Sequence, residues 1–203
     1  MQKPTGYEEA QTMGEYTPVE LGGHYATVLQ VTETQSSTGK DMIVVLFDFD
    51  KTDKQPGIFR KQFDGDDREE KKWPYAGTMY IMVQDYNDSS KTSRSFKTFC
   101  TCVEKSNNYT ITWGGAEWAK QFKGKKIGVV YGEVENEYNG EIRMRRNPRW
   151  FCVWDKVAEA RIPDPKYLNG VSPASQTQAA PTAPASPDGF LNVPEGADDE
   201  IPF

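Results

Sequence analysis

The sequence predicts an all-β domain with minor helices: a small five-stranded barrel, one or two short helices, and a disordered C-terminal tail. Three observations predict it. Short apolar runs bounded by turn residues recur from Gly23 to Arg146. The segment Glu137-Tyr138-Asn139-Gly140-Glu141 carries the Asn-Gly signature of a hairpin turn. Helical spacing is confined to two stretches, Lys91–Lys105 and Ala116–Phe122.

Taken in order, residues 1–20 are polar and punctuated by Gly and Pro, and read as an N-terminal arm. Alternation through Tyr25, Thr27, Leu29 and Val31 predicts a strand over Gly23–Thr34. Ser36–Lys40 is a turn. Met42–Phe49 is the second strand, with Met42, Val44, Leu46 and Phe49 as candidate core residues. Ile58–Phe63 is expected as a third, after the Pro56-Gly57 turn. Three antiparallel strands with short links suit a small barrel. Asp64–Lys72 is a charged loop. Its acids Asp64, Asp66 and Asp67 lack the spacing and the final Glu of a twelve-residue calcium loop, so it is read as solvated.

Thr78–Val83 is a short apolar strand or the edge of an insertion. Phe96, Phe99, Cys100 and Val103 give the Lys91–Lys105 helix its apolar face, opposite Lys91, Arg94, Lys97 and Lys105. Trp118 and Phe122, four apart, share a face of the second short helix, which Gly124 stops. Lys126–Glu137 is a strand. Ile142–Arg146 returns beside it and is expected to stop at Asn147-Pro148. Trp150–Val157 is expected to cap the barrel end, with order decaying beyond Pro163 and Pro165. The folded domain is placed at 21–168, a linker at 169–197 and a separate acidic tip at 198–203. The linker's Pro, Ala, Ser, Thr and Gln cannot offset the entropy of ordering themselves.

The chain has 203 residues and a formal net charge of -6. From Val171 onward there are five acids and no bases, so 25 acids face 24 bases in the rest. The body is nearly neutral, with room for a basic face. No apolar run is long enough to span a bilayer, and no export signal is visible. Three cysteines and one histidine support neither a disulfide framework nor a zinc site, and point to a reducing cytoplasm. No cofactor or metal is expected.

Little supports an enzyme. His24 lies in a predicted strand, and neither a phosphate loop nor a nucleophile elbow occurs. A single-strand binder instead needs cations for phosphates and rings on which bases stack. Lys120, Lys123, Lys125 and Lys126 form one basic cluster; Arg143, Arg145, Arg146 and Arg149 form another. If Ile142 and Met144 face the core, Arg143 and Arg145 face out. The competing reading is a solvated ladder in which Glu133 and Glu135 pair with those arginines. Tyr25, Phe47, Trp73, Trp113 and Tyr138 are the candidate stacking rings. Phe96, Phe99, Trp118 and Phe122 read as helix-to-barrel packing.

The chain ends Asp198-Asp199-Glu200-Ile201-Pro202-Phe203, acids followed by an apolar hook with a terminal carboxylate. An aromatic ring beside a carboxylate suits a small pocket rimmed by basic side chains. This ending resembles that of bacterial and phage single-stranded DNA-binding proteins. The body, through Gly23-His24-Tyr25, Thr38-Gly39-Lys40 and Tyr138-Asn139-Gly140, is similar to an uncharacterised family of phage and prophage proteins found near recombination genes. The first resemblance implies an OB-fold body that holds the strand. It also implies a tip that recruits replication, recombination and repair proteins, in the cytoplasm of a bacterial host. The expected function is therefore non-sequence-specific binding of single-stranded DNA. The alternative is a phage adaptor that docks on host replication or repair proteins without gripping DNA. Assembly into a homo-oligomer through an edge strand such as Gly23–Thr34 suits either.

Overall fold

The computed structural model describes residues 2–5, 7 and 17–170. The expected tip, most of the linker and most of the N-terminal arm lie outside them. Five antiparallel strands form one sheet: β1 (Gly22–Gln35), β2 (Asp41–Phe49), β3 (Thr78–Met82), β4 (Lys126–Tyr138) and β5 (Glu141–Cys152). Their order is β3-β2-β1-β4-β5. Two helices, α1 (Ile58–Asp64) and α2 (Arg94–Asn107), accompany it. Among the described residues no helix is long and apolar enough to cross a membrane.

The sheet does not close. β3 and β5 are its two edges and no ladder joins them, so the expected OB-like barrel is not formed. One reason is that Ile58–Phe63, expected as a strand, is helix α1. Gly57 turns the chain at φ 64°, and the Asp48 carboxylate accepts the N–H groups of Phe59 and Arg60, each at 3.1 Å. That anion at the first turn favours a helix over an extended run. The third strand is instead β3, only five residues long and paired with Met42–Leu46 alone. Between the edges lies the 3-10 turn Tyr75–Gly77, whose Ala76 carbonyl accepts the Tyr131 hydroxyl.

β1 starts with His24, Ala26 and Val28 buried, and Tyr25, Thr27 and Leu29 half-buried on the other face. Its pairing with β2 shifts register between Val28 and Gln30, a bulge that returns Val31 to the core. On β2 the core side chains are Ile43, Val45, Phe47 and Phe49, whereas Met42, Val44 and Leu46 lie half-buried on the opposite face. Against this core face pack Phe59 of α1 and Phe96, Phe99, Cys100 and Val103 of α2, with Phe122 and Phe151. Ser93 caps α2 by accepting the Phe96 N–H. Burial pushes the thiols of Cys100 and Cys152 up to about 11 and that of Cys102 to about 12.

β5 does not stop at Asn147-Pro148. It continues to Cys152 because a second register shift, opposite Val130 and Tyr131, absorbs Arg149 beside the proline. β5 is an edge strand, where a missing N–H is tolerated. Beyond Cys152 the chain folds back over the second sheet face. A Cβ on Gly23 would lie 2.2 Å from the Val157 carbonyl oxygen, and one on Gly128 2.5 Å from the Cys152 Sγ. Only glycine admits that approach. Order persists past Pro163 and Pro165: Glu135 donates its N–H to Lys166 at 2.7 Å, and Lys166 donates to Glu133 at 2.9 Å.

His24 is fully buried, stacked on Phe49 with ring centroids 4.2 Å apart. Its Nδ1 lies 3.0 Å from Asp53 Oδ1 and its Nε2 2.9 Å from the Glu20 carbonyl. Both partners are acceptors, so both bonds form together only when the ring carries two protons. Burial pushes the Asp53 carboxyl up. The His24 hydrogen bond, the Gln55 N–H, the His24 charge and the Tyr25 N–H outweigh it and hold that carboxyl below its ordinary value. A depressed carboxyl adds stability above its unfolded pKa and loses it as pH falls through the folded one. Asp53→Asn is therefore expected to destabilise the fold by about 2 kcal/mol at neutral pH and to flatten the acid limb of stability. Urea unfolding of both proteins between about pH 3 and 7 checks it; parallel acid limbs would remove Asp53 from the pH dependence.

Candidate nucleic-acid interface

The hairpin β4–β5 turns at Asn139 (φ 53°) and Gly140 (φ 77°), the left-handed pair a two-residue turn requires. Its outer half extends beyond the core. Ile142 is 61% exposed and Met144 42%, so they do not face the core as expected. Arg143 and Arg145 do share a face, opposite Asn136 and Val134 rather than Glu133 and Glu135. The competing ladder of Glu133 and Glu135 with these arginines is thus not built by direct opposition. Arg143 instead pairs with Glu141 on its own strand. Arg146 stands opposite Glu133 but donates to the Val19 carbonyl at 2.8 Å, and Arg149 donates to the carbonyls of Glu133 and Asp164 at 3.2 Å each. Arg145 is exposed and makes no ion pair among the described residues.

The lysine cluster is spread by the turn that precedes β4. Lys120 pairs with Glu117 at 2.6 Å. Lys125 lies over the Tyr109 ring at 3.6 Å and Lys126 over Trp154 at 5.0 Å. Lys123 is exposed and carries no ion pair among the described residues. Of the two clusters, Lys123 and Arg145 are therefore the cations most available to a new anion.

Two grooves gather the candidates. The first, about 610 Å³, is lined by Tyr75, Met144, Arg145 and Arg146 with Pro74 and Glu133. It lies between the 3-10 turn and β5. The second, about 560 Å³, lies on the half-buried sheet face and is lined by Leu29, Leu46, Arg60, Phe63, Trp73 and Lys123. A neighbouring groove shares Leu29, Gln30 and Lys123 with it and runs on to Lys120. The segment Trp73-Pro74-Tyr75 joins the two sites, with Trp73 lining one and Pro74 and Tyr75 the other.

The rings differ in what they offer. Trp73 is half-buried against Phe63 at 5.6 Å, donates its N–H to the Gly77 carbonyl at 3.0 Å, and has the Arg60 guanidinium 5.2 Å from its centroid. Tyr25 is half-buried against Trp154, 4.8 Å away. Tyr138, at the hairpin tip, is 67% exposed and Trp113 63%. Phe47 has no exposed surface and meets Phe59 and Phe151 edge-on. A pair absent from the sequence-derived candidates, Tyr75 (61% exposed) and Tyr80 (53%), stacks at 6.2 Å beside the first groove. Tyr80 alternates with buried Ile81 on an edge strand and Tyr75 follows Pro74, which is the signal that could have marked them. No protein-family model and no curated protein matches this chain.

Proposed function

We propose that the protein binds single-stranded DNA without sequence specificity and without catalysis, in phage or prophage replication and recombination within a bacterial cytoplasm. Its C-terminal tip, Asp198–Phe203, recruits replication, recombination or repair proteins. The observation that carries this reading is the Trp73–Tyr75 segment: aromatic side chains set between two grooves, one holding Arg145 and Arg146, the other Arg60 and Lys123. Phosphates lie against the cations and bases against Tyr75, Tyr80 and the exposed part of Trp73. Stacking accepts any base, so the preference among sequences is low.

Fluorescence anisotropy of a labelled oligo-dT at several salt concentrations tests it. Affinity is expected to fall steeply as salt rises. Tyr75→Ala is expected to weaken binding by about 1–3 kcal/mol, the usual worth of one stacked base. Arg145→Ala should weaken oligo-dT and a mixed sequence alike and lower the salt slope by about one. No binding at low salt, or binding indifferent to salt, overturns the reading.

A further inference from the structure

A third groove, about 430 Å³, opens where the core layer ends beside the β1–β2 turn. It differs from the other grooves in having no cation in its lining. Glu33 and Asp41 line it, and no Lys or Arg does. The two acids lie on adjacent strands, Glu33 opposite Ile43 and Gln35 opposite Asp41, so their side chains leave the sheet on one face. Two cations close in sequence to this lining are engaged elsewhere. Lys40 donates to the Tyr86 carbonyl at 3.0 Å and lies over its ring, and Lys120 pairs with Glu117.

The rest of the wall is aromatic. Trp113 is 63% exposed and stacks on Trp118 at 5.8 Å, which stacks on Phe96 at 6.0 Å. Gly114 and Gly115 follow Trp113 with positive φ and open space where side chains would be, so nothing screens the ring. Trp118, 8% exposed, has an indole N–H with no acceptor among the described residues. A buried donor without a partner costs free energy.

Acids beside an unscreened indole repel phosphate and attract a cation. We infer that this groove binds an extended segment of a partner protein bearing Arg or Lys: its alkyl stem and charge lie over Trp113, and its charged head reaches Glu33 and Asp41. Cation–π attraction to Trp and complementary charge supply the recognition. The surface is thus a second interaction site of opposite polarity to the DNA grooves, and it stands whether or not those grooves bind DNA.

The test uses the full chain and a fluorescein-labelled hexapeptide of alternating Arg and Leu, with its Glu-Leu counterpart as control. Trp113→Ala is expected to weaken binding of the cationic peptide about tenfold or more, consistent with a hot-spot aromatic. The double variant Glu33→Gln, Asp41→Asn is expected to weaken it several-fold while leaving the ring in place. The acidic tail is common to every variant, so only these differences report on the groove. Oligo-dT affinity is expected to stay constant in Trp113→Ala. Unchanged peptide affinity in both variants, or no binding by the wild type, overturns the inference. So does a loss of oligo-dT affinity in Trp113→Ala with peptide binding intact, which would make Trp113 a base-stacking ring.

Discussion

Phe47→Ala should destabilise the domain by about 3–5 kcal/mol, the usual cost of truncating a fully buried Phe. The ring has no exposed surface and touches α1 through Phe59 and β5 through Phe151, so the cavity opens at the junction of three elements. Domains of this kind are stable by only about 5–15 kcal/mol, so much of the total is at stake. Urea unfolding measures the loss, and anisotropy under native conditions measures oligo-dT affinity per folded molecule. A variant of normal stability with weakened DNA binding would return Phe47 to the stacking rings.

Phe203→Ala should cost at least about 2 kcal/mol in binding to the tip's partner, as truncation of a buried aromatic anchor does. That is roughly thirtyfold in affinity. Removal of Asp198–Phe203 should do the same or more while leaving oligo-dT binding unchanged or slightly tighter, since it removes three acids that compete with DNA for the cations. Neutralising Asp198 and Asp199 should mainly slow association. Titration of full-length and truncated protein against a purified bacterial replication or repair protein decides it. Equal affinities would show that the ending carries no recruiting function.

What could be read from the sequence was local. Asn139-Gly140 predicts its hairpin because two left-handed residues in a row admit little else. The spacing of Phe96, Phe99 and Val103 likewise predicts α2. Facing failed where parity changes. Alternation through Tyr25, Thr27, Leu29 and Val31 mixes two faces because the chain slips at the bulge after Val28. On β2 two runs, Met42-Val44-Leu46 and Ile43-Val45-Phe47, are equally apolar, and only the position of the helices decides which is core. Ile58–Phe63 misleads because its β-forming residues are overridden by Asp48, ten residues before Ile58, which caps the segment as a helix. Phe59 and Phe63, four apart, held the helical signal. At the candidate site, Trp73, Lys123, Arg145 and Arg146 were visible as residue types. Their distribution over two grooves joined by Trp73–Tyr75 is a product of tertiary packing.

The open seam between β3 and β5 has a mechanical consequence. A closed ring of strands can widen only by breaking a row of main-chain hydrogen bonds together. Here the Tyr75–Gly77 turn is held to the sheet by side-chain contacts such as the Tyr131 hydroxyl of β4 on the Ala76 carbonyl. Each such contact is worth only about 1 kcal/mol net, and β1 ties the two halves together behind it. The sheet is therefore open along this side. The groove beside it is lined by Tyr75 on one side and Met144 and Arg145 on the other, and on the proposed function a strand enters it from the side, without needing a free end to thread.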